Sequence, residues 1–434
     1  MTLFRNGKIL DKGEWKVAAI WVNEGEIVFV DKQEASLDRL IESGRLNGLN
    51  ASLGEIEVIE CEGISLLPSC IDLNLFPLDK NLNAKTIQNI AKKALLGGVS
   101  TIFLNPYTSP SMDNEAMYAL IQNLDGNEAV HIFPLIANLT TKPHSNEVIL
   151  NNIDTLARLN DKAKAIFSNS SIYSGHLYHT MQYAKMLDMP LCVFAFDSHM
   201  EQGVAYESTF ARGLGLPMMT PLGQLKEVAK VKEMAKFLQV KILFMSVNIA
   251  SCIDMIYEED GLYSQVGLPH LVFSERCIAD YDTRYKLKPP LLTHSKQEKL
   301  LERLRLEKID LLTSLQSEVS THCKQRVFEF ADESVDGLEY FFSLAYTLLV
   351  KKGLISMDYL VRLLSSNAAS LLGLRKGAID RGYEADFMLV DLDASYGINS
   401  PLSPYHGMEV YGKIEKMIIG GKAYDGGTPG LLPL

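Results

Sequence analysis

The stretch LLPSCIDLNLFPLDK, Leu66 to Lys80, decides how this chain is read. An apolar run ends at Ile71 and Asp72, and Asn74 and Phe76 then stand two residues apart. SCIDLN has the texture of a buried strand that opens into a loop, and the same texture returns downstream. In TIQNIAKKALLGG, Ile87, Ile90, Ala91, Ala94 and Leu95 fall on one helical face, and Gly97 and Gly98 stop the helix. STIFLN follows as the next buried strand.

The alternation continues through AVHIFPL, AKAIFS, PLCVFAF, VKILFMS, PHLVFS and IDLLTS. Helical stretches such as GQLKEVAKVKEMAKFL and SKQEKLLERLRL lie between them. Eight strand candidates separated by helices predict an α/β fold, a (β/α)8 TIM-type barrel with its site at the C-terminal ends of the strands. No G-x-G-x-x-G follows any of these strands, which speaks against an open dinucleotide-binding sheet. The first sixty residues read as short strands (KVAAIWV, GEIVFVD), and so do ADFMLVDLD and KIEKMIIGGKAYD near the end. The expected organisation is therefore a small composite β domain from residues 1–63 and 376–434, with the barrel, 64–375, inserted between its halves. No internal repeat and no low-complexity linker interrupts it.

Hydrophobic residues are 47% and charged residues 22% of the 434, the composition of a globular chain. A formal net charge of −11 argues against nucleic acid as a partner, while leaving room for a local basic patch. The start, MTLFRNGKILDKGEW, lacks a signal peptide's apolar core, and no run approaches the ~18 apolar residues of a membrane span. The six cysteines, Cys61, Cys70, Cys192, Cys252, Cys277 and Cys323, include no C-x-x-C pair and read as buried thiols of a cytoplasmic protein.

Four segments carry a resemblance. LLPSCIDLN resembles the start of the amidohydrolase superfamily, where a His-x-His pair follows the first strand. GGVSTIFLNPYTSPSMDN and YKLKPPLL resemble two dihydroorotase elements, the PNT-containing segment and NPPLR. SSNAASLLGL, followed by KGAIDRGYEADFMLVD, resembles the C-terminal run of the same family. The order is kept over about residues 1 to 425. The resemblance implies a metal-bound hydroxide that attacks a ring amide, with zinc polarising the carbonyl and lowering the pKa of its water.

Carried over residue by residue, the implied metal ligands fall on Asn74, Phe76, Asn169, Phe194 (or its neighbour Ala195), Met245 and Leu315. Gln316 replaces the His that follows the last of these. The implied substrate contacts fall on Leu78, Tyr107, Lys288 and Leu292. Amides are poor zinc ligands and apolar side chains are none, so no catalytic residue, no metal and no cofactor is expected at these positions. Phe76, Phe194, Met245 and Leu315 are expected instead to plug the barrel mouth, each adding roughly 1.5–3 kcal/mol of apolar burial.

These replacements make the expected protein a pseudoenzyme of the dihydroorotase family, with residual hydrolase activity left open. The resemblance further implies a structural or regulatory role in pyrimidine biosynthesis beside aspartate carbamoyltransferase, and a homodimer. Two other readings stay open: a hydrolase of a cyclic amide or ureide with a reshaped site, and a module that senses a small ligand. A relocated metal site would use His176 and His179 of GHLYH with His199, while His270 reads as a structural remnant. Ser246 and Cys252 lack an evident His–Asp pair, and Asp197, Asp254 and Glu318 read as solvated loop carboxylates.

Overall fold

The computed structural model describes residues 1–32, 56–142, 147–159 and 163–426. Residues 33–55 and 427–434, within the two ranges assigned to the small β domain, lie outside the described residues. The chain opens with β1 (Thr2–Asp11), β2 (Glu14–Asn23) and β3 (Glu26–Asp31), an antiparallel meander. Lys12 and Gly13, at φ 52° and 83°, form the first two-residue turn, a left-handed pair that suits the twist of a hairpin. Then β4 (Glu57–Glu60) and β5 (Ser65–Pro68) both pair with β1 in parallel.

The barrel begins at β6 (Cys70–Leu75), followed by α1 (Ala84–Leu96), β7 (Val99–Leu104) and α2 (Glu115–Asp125). The third strand is β8 (His131–Pro134), which continues past Leu135 as β9 (Ile136–Ala137) and leads to α3 (Ile153–Leu159). Next come β10 (Ile166–Asn169), α4 (Ser174–Met186), β11 (Leu191–Phe194) and α5 (Leu222–Leu238). Then β12 (Ile242–Met245), α6 (Ala250–Tyr257), β13 (Leu262–Gly267), α7 (His294–Arg305) and β14 (Leu311–Thr313) complete the sequence. Neighbouring strands pair in parallel, in chain order. A parallel bridge between Phe76 and Ser317 closes the last strand onto the first.

Alternation along each strand sorts two apolar layers. Ile71, Leu73, Phe103, Phe167, Cys192, Leu243 and Met245 fill the barrel interior. Their neighbours, such as Leu191, Val193, Ile242 and Phe244, pack outward against the helices. On α1, Ile87, Ile90, Ala91 and Ala94 are buried, and Asn83 and Thr86 close a reciprocal capping box at its start. Gly97 ends it at a contact that admits no side chain, since a Cβ there would lie 1.8 Å from the Leu338 carbonyl oxygen.

One strand differs from the sequence reading. PHLVFS is not the seventh strand: Leu268–Val272 is a short helix with Pro269 in its first turn, and β13, LYSQVG, precedes it. Polar Ser264 and Gln265 hide this strand from a hydrophobicity pattern, yet both are fully buried. Ser264 is held by Asp310, and Gln265 donates across the barrel to the Leu73 carbonyl at 3.2 Å.

After helical turns through 341–350 and 357–372, the chain returns as β15 (Phe387–Gly397), β16 (Glu409–Ile419) and β17 (Lys422–Asp425). Because β15 pairs with β5, the two ends of the chain share one sheet in the order β17-β16-β15-β5-β1-β2-β3, with β4 beside β1. A buried ionic cluster ties this sheet to the barrel floor. The Lys376 ammonium contacts Asp386 and lies 2.7 Å from Glu384, and His131 of β8 lies 3.4 Å from Asp386. Among the described residues no helix is long and apolar enough to cross a membrane.

Candidate active site at the barrel mouth

A β-bulge on the first barrel strand shapes the site. The pairing of β6 with β7 shifts between Leu73 and Leu75, and Asn74 takes φ 79°. The Leu73 carbonyl, left without its ladder partner, accepts from Gln265 Nε2 and from Thr313 Oγ1 at 3.1 Å. The bulge brings Asn74 to the mouth together with Phe76.

There the chain encloses an open pocket of about 200 Å³. Phe76, Tyr107, Phe167 and Phe194 wall it, and Tyr107 meets Phe167 edge to face with ring centres 5.3 Å apart. Asn74, Asn105 and Ser246 form a polar base: Asn105 Nδ2 donates to Asn74 Oδ1 at 2.8 Å, and Asn74 Nδ2 lies 3.4 Å from Ser246 Oγ. Asn169, Lys80, Lys288 and Glu333 complete the rim. Among the described residues, the Tyr107 hydroxyl, the Asn169 amide and the Lys288 ammonium have no hydrogen-bond or ion-pair partner, so they face the pocket as available donors. Burial pushes the Tyr107 hydroxyl further up, so it remains a proton donor across neutral pH.

Lys288 is held from behind. Its ammonium lies 4.1 Å from the centre of the Phe196 ring, which stacks on Phe194. His270 is wholly buried, and its Nε2 donates to the Pro289 carbonyl at 2.8 Å, pinning the residue after Lys288. Burial drives the His270 pKa down to about 4 against the pull of that bond, which favours the protonated ring, so the ring is neutral near pH 7. Beyond the wall, burial pushes the Glu201 carboxyl up to about 7, with Lys288 a weaker opposing influence.

The structure thus brings Asn74, Phe76, Asn169, Phe194, Leu315, Tyr107 and Lys288 to one pocket. Between the two alternatives on β11, Phe194 faces inward, while Ala195 packs in the outer layer. Met245, Leu78 and Leu292 are not part of its lining. Met245 is wholly buried in the barrel core, and Leu292 lines a different cavity. The expected plug does not form. Phe194 leans on Phe196 and Met245 is spent on the core, so the apolar side chains wall the mouth and leave it open. Asn105, Phe167 and Ser246 were not assigned from sequence as pocket residues, although Asn105 and Ser246 each sit just beyond the end of a barrel strand, where that fold places its site, and Phe167 lies within β10 two residues before its end.

The other candidates go elsewhere. His179 bonds Gln182, His176 packs its ring on Tyr173, and neither joins His199 in a ligand group among the described residues. Cys252 is buried. Asp197, Asp254 and Glu318 are not simply solvated; each carries an ion pair, to Lys226, to Arg303 and Lys308, and to Lys93. The one group of three potential metal ligands among the described residues is His131, Glu384 and Asp386, at the seam with the small sheet. The Lys376 ammonium already supplies the cation there.

A parallel barrel with its pocket at the strand C-termini and a composite β domain at its floor defines the class as a TIM-type barrel protein. Residues 50–424 match the Amidohydrolase family, and the chain belongs to that family. It is 28% identical to the probable dihydroorotase-like protein of Helicobacter pylori strain J99, over 84% of this chain and 86% of that one. It is 27% identical to the dihydroorotase of Elusimicrobium minutum, over 90% and 94%. Among solved structures, the L-hydantoinase (dihydropyrimidinase) of Arthrobacter aurescens superposes with a TM-score of 0.82 at 18% identity, covering 97% of this chain and 95% of that one.

The chain is therefore a dihydroorotase-like amidohydrolase. The expectation that it is not an enzyme does not stand: proteins it matches are named dihydroorotase, which is an enzyme, and nothing in the kinship marks this chain as inactive. The donor chemistry of the implied zinc position is a separate matter. The six carried-over positions offer two neutral amides and no His, Cys, Asp or Glu, and the Asn74 amide is already bonded to Asn105. That set does not fit a zinc ion.

Proposed function

We propose that this chain hydrolyses a small cyclic amide or ureide bearing an anionic group, at the barrel mouth and without the zinc ligands of its relatives. The observation that carries this reading is the open pocket, with aromatic walls and three free donors converging on it. In this reading Lys288 pairs with the ligand's anion, and the Asn169 amide and Tyr107 hydroxyl bond the ring carbonyl. Glu333 is the one carboxylate among the lining residues. It takes a proton from water as the water oxygen adds to the ring carbonyl, and the ring nitrogen gains a proton as the C–N bond breaks. The names of the relatives, dihydroorotase and hydantoinase, supply the substrate class.

The test is ring opening of dihydroorotate and of a hydantoin, with and without chelator, alongside calorimetric binding of both. The reading expects saturable binding and chelator-insensitive turnover, with both weakened about tenfold or more in Lys288→Met by loss of the charge-assisted bond. Binding without turnover would refute hydrolysis and leave the pocket as a ligand site; neither would refute the whole reading. Association with aspartate carbamoyltransferase, which the resemblance implies, is kept as part of this proposal, and co-purification of the two proteins tests it.

A further inference from the structure

A second cavity, of about 260 Å³, lies outside the mouth, between α6 and α7. Lys296, Lys299 and Arg303 line it, three cations on one face of α7, and no carboxylate is among its lining residues. This runs against the chain's net charge of −11. Among the described residues neither Lys296 nor Lys299 has an ion-pair partner. Arg303 is fixed in place, its Nη2 and Nε 2.7 and 3.1 Å from Asp254 Oδ2. With Arg303 also 2.6 Å from Glu302, the uncompensated pair is Lys296 and Lys299, like charges three residues apart on the helix, and an anion between them relieves their repulsion.

The facing wall has the same polarity. Ile249, Ala250 and Ser251, the start of α6, line the cavity, and that start has neither a side-chain cap nor an acidic residue in its first turn. Gln224 Oε1 already accepts from the Asn248 and Ile249 amides at 3.1 and 3.2 Å, so it is the Ala250 and Ser251 amides, with the positive end of the helix dipole, that add to the cationic field. Beneath them Asn248 is fully buried and braced, donating to the Pro290 carbonyl at 3.0 Å and accepting from the Tyr206 hydroxyl at 3.1 Å.

We propose that this cavity binds the phosphate group of a small molecule, with Lys296 and Lys299 as its cationic contacts and the first amides of α6 as its hydrogen-bond donors. The site is distinct from the mouth and does not depend on the reaction proposed there. The cavity is larger than a phosphate alone requires, so a phosphate monoester fits as well as the free ion.

The test is calorimetric titration of the full chain with inorganic phosphate at constant ionic strength, repeated with glycerol 3-phosphate. The expected result is saturable one-to-one binding that weakens at least about tenfold in Lys296→Ala/Lys299→Ala, two charge contacts being lost. The melting temperature of that variant without phosphate is expected to be unchanged or higher, which separates loss of the site from loss of the fold. Tighter binding of the monoester would identify the ligand as a phosphorylated metabolite; tighter binding of the ion would identify free phosphate. Absence of saturable binding, equal affinity in the variant, or binding abolished only by Lys288→Met would overturn the assignment.

Discussion

Asp72 sits beneath the mouth with one carboxylate oxygen accepting from the Ser314 amide at 3.0 Å. Full burial pushes its carboxyl up to about 6 against those hydrogen bonds. The folded state therefore holds a proton that the unfolded chain releases near pH 4, and stability falls as pH rises from about 4 to 6, then levels off. Asp72→Asn keeps an acceptor for Ser314 and removes the ionisation. It is expected to gain on the order of 2 kcal/mol at pH 8 and to flatten the slope between pH 4 and 6 in chemical denaturation. Glu201, with its carboxyl near 7, contributes a similar falling slope up to that pH, so the variant removes only part of the total. At this scale the sequence was partly legible. Asn74 and Phe76 stand out by their spacing after an apolar run, but the bulge that turns Asn74 inward is a backbone event with no side-chain signature. Met245 ends its strand in register with Phe194, yet its side chain is wholly buried in the barrel core, and which of two paired side chains reaches the pocket is decided by packing across the barrel.

The loop after β14 brings Leu315 and Ser317 to the pocket, and a single helix residue holds it there. Lys93, on the inner side of α1, lies 2.7 Å from Glu318 and 2.8 Å from Asp336. Gln316 accepts from the amides of Gly337 and Leu338, each at 3.0 Å, and its Nε2 reaches Asp336. Lys93→Met leaves two carboxylates without their cation, and a loss of about 3–5 kcal/mol is expected, read as a lower denaturation midpoint. Adding Asp336→Asn is expected to restore part of it; a double variant no better than the single would show that the pairing is not what matters. The helices around the barrel were readable because their apolar residues recur at helical spacing. The seventh strand was not, because its buried side chains are polar and satisfied across the barrel, a long-range arrangement invisible to local pattern.

Across the whole molecule, the small sheet and the barrel are joined through Asp386. Its carboxylate meets Lys376 and His131 and accepts from the Gly420 amide at 2.7 Å, while its carbonyl receives the Ser69 amide. Desolvation alone would raise its pKa, but His131 and Lys376 outweigh it and hold the carboxyl well below the usual range. Such a group stabilises the fold above the unfolded carboxylate pKa and loses that contribution as pH falls through its folded value. Asp386→Asn is expected to lower the melting temperature at pH 7 and to reduce its dependence on pH below 4, both measurable by scanning calorimetry. The joining of both chain ends in one sheet was visible as β texture at each end. The cluster at the seam was not, since His131 is far in sequence from Lys376 and Asp386, which are ten residues apart, and the fold alone brings it to them.

The segment 287–292 is a partition with a cavity on either side: Leu287 and Lys288 face the mouth, Leu292 faces the outer cavity, and His270 and Asn248 grip the carbonyls between. A wall gripped in this way has little freedom to absorb a push from one side alone. The arithmetic of linkage across such a wall is even-handed: any factor that an outer anion imposed on affinity at the mouth, a mouth ligand would return to the anion.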